Sequence, residues 1–274
     1  MSIAGGLKRA PEAAHSMGCG AFQMFASNSR SWKPRQISDS EADEFIEAKK
    51  GLASFVHLPY LCNPSSPNSN VSAHSLSTIR STLDACNKLR IDAAVLHIGS
   101  HLGSGMEKGI ESASEMVGSA YDSSSHTRLL LENSAGYKNS VGSKLEEIKA
   151  IIDMSGSGAG VCIDTCHAFA AGYELRSAEG ARSFAKSIRA NFGGIGLIHL
   201  NDAKYGLGSG LDRHEHIGKG TIGEEGFTNL LAQPEFAAGS AIIEVPGGET
   251  ILKNDLAVIE RILSKHGAAL KGPD

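Results

Sequence analysis

The sequence lacks two features that would assign it to a membrane or to non-specific binding of nucleic acid. It has no apolar run near the roughly 18 residues that cross a bilayer, so no membrane-spanning segment is expected. Its formal net charge is −4, whereas proteins that bind nucleic acid non-specifically usually carry a basic excess. Any contact with nucleic acid is therefore expected to be local or assisted by metal ions.

The chain also has few cysteines and no recognisable targeting segment. Five cysteines is an odd number for a disulfide framework, and Cys162 and Cys166 lack the second Cys or His pair of a structural zinc module. We interpret both as buried thiols. The first residues, Met1 to Lys8, contain neither the basic stretch nor the apolar stretch of a signal peptide. A cytoplasmic location is therefore expected.

What the sequence does contain is a regular series of short apolar runs. Runs of this kind, separated by segments of helical length, are typical of parallel strands that are buried on both faces. Helices are predicted over 38–50, where Ser38 and Glu41 have capping-box spacing, and over 76–89. The seven predicted strands are 21–25, 54–57, 93–97, 129–132, 160–164, 196–199 and 241–244.

The alternation of strands and helices predicts an α/β fold, specifically a (β/α)₈ TIM barrel. The last residues of successive runs from His57 to Glu244 lie 32 to 45 positions apart, close to the length of one βα unit. One barrel takes about 250 residues, so residues 1–274 are predicted to form a single domain with a disordered polar tail at 267–274. Eight strands close a barrel, and the expected first strand is missing or truncated at the N-terminus.

Most of the runs end in a side chain that can bind a metal ion. Active sites of parallel barrels form at the carboxyl ends of the strands, so these side chains are expected to converge. Asp212 and His214 lie two positions apart, which places both on one face of an extended segment. The nine candidate ligands are His57, His97, Glu132, Asp164, His167, His199, Asp212, His214 and Glu244. The other histidines, expected at the surface or around the ligands, are His15, His74, His101, His126, His216 and His266.

This set of ligands indicates both the metal and the class of reaction. Imidazole and carboxylate suit zinc and manganese, and nine groups exceed the three or four that one catalytic zinc needs. Two or three metal ions are therefore predicted. Neighbouring divalent ions favour in-line displacement at phosphorus, because one activates the attacking water and another stabilises the leaving oxygen. The pattern therefore favours a metal-dependent phosphodiesterase.

Several longer motifs resemble the endonuclease IV family, the zinc-dependent apurinic/apyrimidinic endonucleases of base-excision DNA repair. The most specific motifs are 161–173 (VCIDTCHAFAAGY), 199–204 (HLNDAK) and 131–136 (LENSAG). Residues 212–214 and 97–101 also fit the family pattern. Because the similarity runs from Ser2 to about Glu244, the chain is identified as a member of this family on its sequence.

The resemblance implies a trinuclear zinc site in a TIM barrel, with manganese able to replace one zinc. One zinc would be held by His57, His97 and Glu132, and Glu132 would also reach a second zinc. The remaining ligands of the second zinc would be Asp164, His199 and Glu244, and those of the third His167, Asp212 and His214. The implied reaction cleaves duplex DNA 5′ to an abasic site and leaves a 3′-hydroxyl and a 5′-deoxyribose phosphate. The implied catalytic residues are Glu132, Asp164 and Glu244, with Glu244 orienting the nucleophile.

The resemblance also implies that loop side chains enter the duplex and flip out the abasic nucleotide. Aromatic and apolar wedges suit this task because an abasic site leaves a gap in the base stack. The matching positions are Asn28, Arg30, Trp32, Tyr60, Leu61 and Asn63, and Arg213 is expected to contact phosphate. The expected partner is duplex DNA with an abasic site, bound by a monomer of this chain.

Two other functions fit parts of the pattern. A divalent-metal sugar isomerase or epimerase of the same barrel superfamily carries Glu, Asp and His at the same strand ends. Its one or two metals would leave His167, Asp212 and His214 without a role. The second alternative is a catalytically idle protein that binds damaged DNA. Zinc content would separate the first alternative from the nuclease, and incision of an abasic duplex would separate the second.

Overall fold

The chain divides into two compact units. A computed structural model describes residues 1–29, 31–122, 124–237, 239–245, 247–267 and 272. The first unit consists of the described residues of Met1–Glu132, Ala150–Gly160 and Lys271–Asp274, and the second of those of Asn133–Lys149 and Val161–Leu270. The single domain over 1–274 stays a prediction. The predicted tail at 267–274 lies outside the described residues except for Gly267 and Gly272.

The first unit alternates helices with parallel strands. Its elements are α1 (Arg9–Ser16), β1 (Ala21–Met24), α2 (Asp39–Ala48), β2 (Ala53–His57), α3 (Ser69–Lys88), β3 (Ala93–His97), α4 (Met106–Ala120) and β4 (Arg128–Glu132). Strands β1 to β4 pair in sequence order, and the register aligns His57 with Val95 and His97 with Glu132. The apolar residues of these strands are buried, as expected for strands that are covered on both faces.

The second unit continues the alternation and adds a short hairpin. Helix α5 (Leu145–Ser155) leads into this part of the chain. The following elements are β5 (Gly160–Asp164), α6 (Thr165–Ala170), α7 (Ala178–Phe192), β6 (Leu197–His199), β7 (Asp202–Ala203), β8 (His214–Glu215), α8 (Gly223–Leu231), α9 (Pro234–Ala237), β9 (Ala241–Ile242) and α10 (Glu249–Ser264). Strands β5, β6 and β9 pair in parallel, whereas β7 and β8 pair antiparallel.

The predicted strands and helices are found close to their expected positions. Each of the seven apolar runs contains a strand, and Ser38 caps α2 by accepting the N–H of Glu41 at 3.1 Å. Helix α3 begins seven residues before the predicted residue 76, because Asn68 caps it by accepting two backbone N–H groups. Strand β9 is shorter than predicted and ends at Ile242.

The N-terminal region lacks the additional strand of a complete barrel. Among the described residues, none before Ala21 lies in a strand. The terminal amine of Met1 donates to the carbonyl oxygen of Gln23 in β1 at 2.6 Å. No helix in the described part of the chain is both long and apolar enough to cross a membrane.

A buried carboxylate organises the loop that follows the β7–β8 hairpin. Asp202 accepts the backbone N–H groups of Gly218 and Gly220 on one oxygen, both at 3.0 Å, and that of Ile222 on the other, also at 3.0 Å. Burial raises the pKa of Asp202, and these backbone donors oppose that rise. Because β8 carries His214, this cluster of hydrogen bonds fixes the frame in which a predicted ligand lies.

We expect Gly220→Ala to disrupt this cluster. A Cβ atom at Gly220 would collide with the Ala203 carbonyl oxygen and would lie 2.5 Å from Asp202 Oδ1. The first atom belongs to the backbone and the second is held by hydrogen bonds from Ala203 and Ile222, so the loop has to move, at a cost of about 1–3 kcal/mol. Urea unfolding of the variant should show a loss of stability of this size.

Gly206→Ala is the matched control. No atom lies within 4 Å of a Cβ at Gly206, so the variant should be neutral or slightly more stable than the natural chain. Equal unfolding midpoints for the two glycine variants would contradict the role assigned to the Asp202 cluster.

Candidate metal centre

The first unit brings three of the predicted ligands together at the ends of adjacent strands. His57 ends β2, His97 ends β3 and Glu132 ends β4. Glu132 Oε2 lies 3.2 Å from His57 Nε2 and 2.8 Å from His97 Nε2. His57 and Glu132 are buried, whereas the His97 side chain is 33% exposed. The group is therefore open to solvent on the side of His97.

A backbone carbonyl fixes the proton of the His57 ring. His57 Nδ1 lies 2.7 Å from the carbonyl oxygen of Leu58. A carbonyl oxygen can only accept a hydrogen bond, so Nδ1 carries the hydrogen and Nε2 of the neutral ring presents its lone pair. Nε2 lies 3.2 Å from Glu132 Oε2, within hydrogen-bond distance. Histidines that bind metals usually have this arrangement, with the other ring N–H donating to a carbonyl or carboxylate.

The second unit brings Asp164, His199 and Glu244 together at the ends of β5, β6 and β9. Their ligand atoms all lie within 4.8 Å of one another. His199 Nδ1 lies 3.1 Å from Glu244 Oε2. Asp164 and His199 are fully buried, whereas the Glu244 side chain is 22% exposed. Glu244 is therefore the member of this group that is open to a small molecule.

A further group in the second unit consists of His167, Asp212 and His214. Asp212 Oδ1 lies 3.3 Å from His167 Nε2 and 3.4 Å from His214 Nε2. His214 Nε2 also lies 3.5 Å from Asp164 Oδ2. The Nδ1 atoms of His167 and His214 lie 2.9 Å and 2.8 Å from the carbonyl oxygens of Asn133 and Glu244. Both rings therefore direct Nε2 toward carboxylate oxygens.

These distances fit a shared cation better than direct hydrogen bonds. His214 Nε2 is buried and has no hydrogen-bond partner, although two carboxylate oxygens lie near it. Two ligands of one tetrahedral zinc, each about 2.0–2.2 Å from the ion, lie about 3.3–3.5 Å apart. The distances around Asp212 and His214 fall in this range. The residues of this group therefore fit a zinc ion.

One side chain that was not predicted to be a ligand, Cys166, lies beside the candidate ligands. Cys166 Sγ lies within 4.8 Å of the ligand atoms of Asp164 and His214. Its thiol donates to the carbonyl oxygen of Arg213 at 3.5 Å, and burial raises its pKa. Cys162 and Cys166 are both buried, as predicted. Cys166 therefore contacts the backbone of Arg213, which lies between Asp212 and His214.

Two buried asparagines also support the ligands and were not singled out from the sequence. The Asn133 side chain accepts the backbone N–H of Asp164 at 2.7 Å and donates to its carbonyl oxygen at 3.1 Å. Asn201 donates to the Asp164 carboxylate at 2.6 Å. Their position in the sequence could have indicated this role, because each follows a candidate ligand within two residues at the end of a strand.

The predicted DNA-contact residues of the first unit lie in two loops. Tyr60 is 55% exposed, and its ring packs against the rings of His57 and His97, with centroids 5.3 Å and 5.7 Å apart. Leu61 is also exposed. Trp32 stacks on His74 at 5.5 Å. Trp32 is half-buried, so Tyr60 and Leu61 are the more open of these three apolar side chains.

The polar members of the predicted DNA-contact set have different environments. The Asn63 amide donates to the Ser100 carbonyl oxygen and accepts the Ser100 N–H, so it ties two loops together. Arg213 is exposed and follows Asp212 directly. Asn28 is exposed, whereas Arg30 lies outside the described residues. Contact of these residues with DNA stays a prediction.

The remaining described histidines are absent from the ligand groups found in the described chain. His216 instead pairs with the buried Asp255 at 2.9 Å, which links the β7–β8 region to α10. His101 Nδ1 accepts the N–H groups of Gly103 and Gly105. His15 and His266 contact backbone carbonyl oxygens. The assignment of the nine candidate residues as metal ligands stays a prediction, and none of these other histidines joins their groups in the described part of the chain.

Comparison with known proteins gives the family. Residues 11–262 match the model of the xylose isomerase-like TIM barrel family. A protein of Methanoculleus marisnigri named "Probable endonuclease 4" is 40% identical over 277 aligned positions, covering 98% of each chain. Endonuclease IV from Thermus thermophilus superposes with a TM-score of 0.86 at 33% identity, covering 97% of each chain. A D-tagatose 3-epimerase-like protein, 20% identical with a TM-score of 0.67 over 90% of this chain and 91% of its own, shares the fold alone.

These findings confirm three predictions made from the sequence, namely the TIM-barrel fold class, the family and the assignment as an enzyme. The match to the family model and the identity to full-length relatives are independent of the geometry of the ligand groups. The chain belongs to the endonuclease IV family of xylose isomerase-like TIM barrels.

Proposed function

We propose that this protein is a zinc-dependent endonuclease that cleaves duplex DNA on the 5′ side of an abasic site. The products would be a 3′-hydroxyl and a 5′-deoxyribose phosphate. The observation that carries the proposal is the arrangement around His214, whose buried Nε2 faces two carboxylate oxygens without a hydrogen bond. Relatives named for endonuclease activity at about 40% identity support the same conclusion.

We propose three zinc ions, each assigned to ligands that lie within one unit. The first would be held by His57, His97 and Glu132, the second by Asp164, His199 and Glu244, and the third by His167, Asp212 and His214. When bound, zinc lowers the pKa of water and stabilises negative charge that develops on a phosphate. The role of Glu132 as a ligand of two ions and the replacement of one zinc by manganese stay predictions.

The three predicted catalytic carboxylates differ in their access to solvent. Asp164 and Glu132 are buried at 0% and 1% exposure and suit the role of holding cations. The more exposed Glu244 has one oxygen directed at His199, and its carboxylate can accept a hydrogen bond from a water molecule that approaches phosphorus. Glu244 would therefore orient the attacking water, as the family resemblance implies.

We assign the recognition of DNA to loop side chains, of which Tyr60 lies beside the first ligand group. Tyr60 joins the first ligand group to the surface, because its ring contacts two ligand imidazoles and is still more than half exposed. Leu61 and Trp32 would fill the gap that the missing base leaves in the stack. Asn28, Arg30 and Arg213 would contact the backbone, whereas Asn63 would hold the loops of the first unit in place.

The alternative functions account for fewer of these features. A sugar isomerase or epimerase would leave the group around Asp212 without a role, and the similarity to an epimerase-like protein extends to the fold alone. A catalytically idle binder would not need nine ligand-type residues, and the family resemblance implies that all nine positions carry the expected residue types. The monomeric state and the cytoplasmic location stay predictions.

Incision of a defined duplex tests the reaction. We expect the zinc-loaded protein to cut a duplex containing one tetrahydrofuran abasic analogue, immediately 5′ to the analogue, because its ligand groups fit zinc. Chelation should abolish the cut, and added zinc should restore it. An undamaged duplex of the same sequence is the control. Full-length strands after incubation under zinc-replete conditions would refute the proposed function.

Removal of one ligand tests the third zinc site. Asp212→Asn should lower the zinc content from about three to about two ions per chain, because Asp212 Oδ1 faces both His167 and His214. Incision should fall by more than about 100-fold, since even changes around metal ligands cost about 10–100-fold. Elemental analysis and single-turnover incision measure the two effects. Asp84→Asn, on the exposed surface of α3, is the control and should change neither.

Substitution of the exposed ring tests the recognition of DNA. Tyr60→Ala should weaken binding to the abasic duplex by about 10–100-fold, because stacking of one ring on a base contributes about 1–3 kcal/mol. Tyr60→Phe keeps the ring and should bind nearly as well as the natural chain. Zinc content, measured on the same samples, should stay unchanged. Equal dissociation constants for Tyr60→Ala and Tyr60→Phe would argue against this assignment.

A further inference from the structure

One buried amide in the second unit links the ends of three strands that carry ligands. Asn201 is fully buried two residues after the end of β6. Its Nδ2 donates to Asp164 Oδ2 at 2.6 Å, at the end of β5. Its Oδ1 accepts the backbone N–H of Glu244 at 2.7 Å, just beyond β9. A single side chain therefore contacts two of the residues assigned to the second zinc.

The chemistry of its neighbours fixes the orientation of this amide. A carboxylate can only accept and a backbone N–H can only donate, so the NH₂ group must face Asp164 and the carbonyl oxygen must face Glu244. A rotated amide would place two acceptors together and two donors together. The amide is therefore held in one orientation, and it can hold the Asp164 carboxylate in one orientation in turn.

The backbone of Asn201 is held equally firmly. Its N–H donates to Thr165 Oγ1 at 2.9 Å, and the Thr165 hydroxyl donates to its carbonyl oxygen at 2.7 Å. Thr165 follows Asp164 directly and is fully buried. Side chain and backbone together connect Asn201 to the end of β5 by three hydrogen bonds.

The hydrogen bonds of Asp164 decide which of its lone pairs remain for cations. Oδ1 accepts the backbone N–H of His167 at 2.7 Å, and Oδ2 accepts Asn201 Nδ2. A carboxylate has about four lone-pair positions, so these two bonds leave about one position on each oxygen. The Asp164 carboxylate belongs to the group with His199 and Glu244, and Oδ2 also faces His214 Nε2.

We propose that Asn201 is a positioning residue that sets the zinc affinity of the second unit by orienting the Asp164 carboxylate and the backbone of Glu244. The proposal rests on the zinc sites of the proposed function. Asn133 differs from Asn201 because its amide bonds only the backbone of Asp164. Removal of a group that orients a metal ligand typically costs about 10–100-fold in metal affinity.

Transfer of zinc to a chromogenic chelator tests the proposal without DNA. Asn201→Leu is close in shape and removes both the donor and the acceptor. We expect the zinc-loaded variant to release part of its zinc at chelator concentrations about 10–100-fold lower than the natural chain. The visible spectrum of the cobalt-loaded protein should also change, because the geometry of the ligands is altered. If Asn201→Leu does not fold, Asn201→Ala should shift the transfer in the same direction, by a smaller factor.

Asn87→Leu is the matched control. Asn87 lies in α3 of the first unit, whereas the ligands of the second zinc lie in the second unit. Its amide accepts the Thr127 N–H at 3.1 Å and the Ser125 hydroxyl at 2.7 Å. This variant should lower the melting temperature and leave zinc transfer unchanged. The proposal would be overturned if both Asn201 variants transferred zinc at the same chelator concentrations as the natural chain. It would also be overturned if Asn87→Leu lowered these concentrations as much as Asn201→Leu does.

The outcomes separate this inference from the proposed function. A protein that binds zinc but leaves abasic DNA intact would contradict the proposed function, while the effect of Asn201 on zinc transfer would still support the inference. A protein that incises abasic DNA and whose Asn201 variants keep natural zinc transfer would contradict the inference alone. A natural chain that binds no zinc would overturn both.

Discussion

The repulsion between acceptor atoms that face one another is the constraint on which the ligand groups depend. Backbone carbonyls hold the hydrogens of His167 and His214 on Nδ1, so Nε2 of each ring, when neutral, presents a lone pair to the Asp212 carboxylate. Buried acceptors placed in this way are costly unless a proton or a cation lies between them. The strand ends, the helix cap at Asp164 and the buried amides all hold these atoms in place. The ligand groups therefore favour the binding of a proton or a cation between their acceptor atoms.

The convergence of the candidate ligand side chains could be predicted from the sequence because the parallel strands impose a simple rule. Each strand is an apolar run, and the first polar residue after the run lies at the functional end, as His97 and Glu132 do. Helix starts were predictable where capping chemistry is local, as at Ser38. The periodicity of apolar residues did not predict the start of α3 at Ser69, because the first turns of this helix are polar. The residue that indicates the start is Asn68, which caps the helix.

Contacts between residues distant in the sequence escaped prediction. Asn201 and Glu244 are 43 positions apart, and neither residue type nor local spacing shows that one accepts the N–H of the other. The five-donor environment of Asp202 depends on a loop of irregular backbone, for which no periodic pattern exists. The shortness of β9 has a similar origin, since the backbone N–H of Glu244 bonds to a side chain instead of a neighbouring strand. Beside the candidate ligands, side-chain amides accept backbone N–H groups that would otherwise bond to a neighbouring strand.

The stacking of Trp32 on His74 has a consequence for observing this protein. The chain contains one tryptophan, so its entire indole emission comes from a loop that is predicted to meet DNA. An imidazole in stacking contact alters the emission of an indole. Displacement of the Trp32 ring from His74 would therefore change both the quenching of the indole and the polarity of its surroundings. The protein therefore carries an intrinsic optical reporter in the loop that is predicted to meet DNA, and this reporter needs no added label.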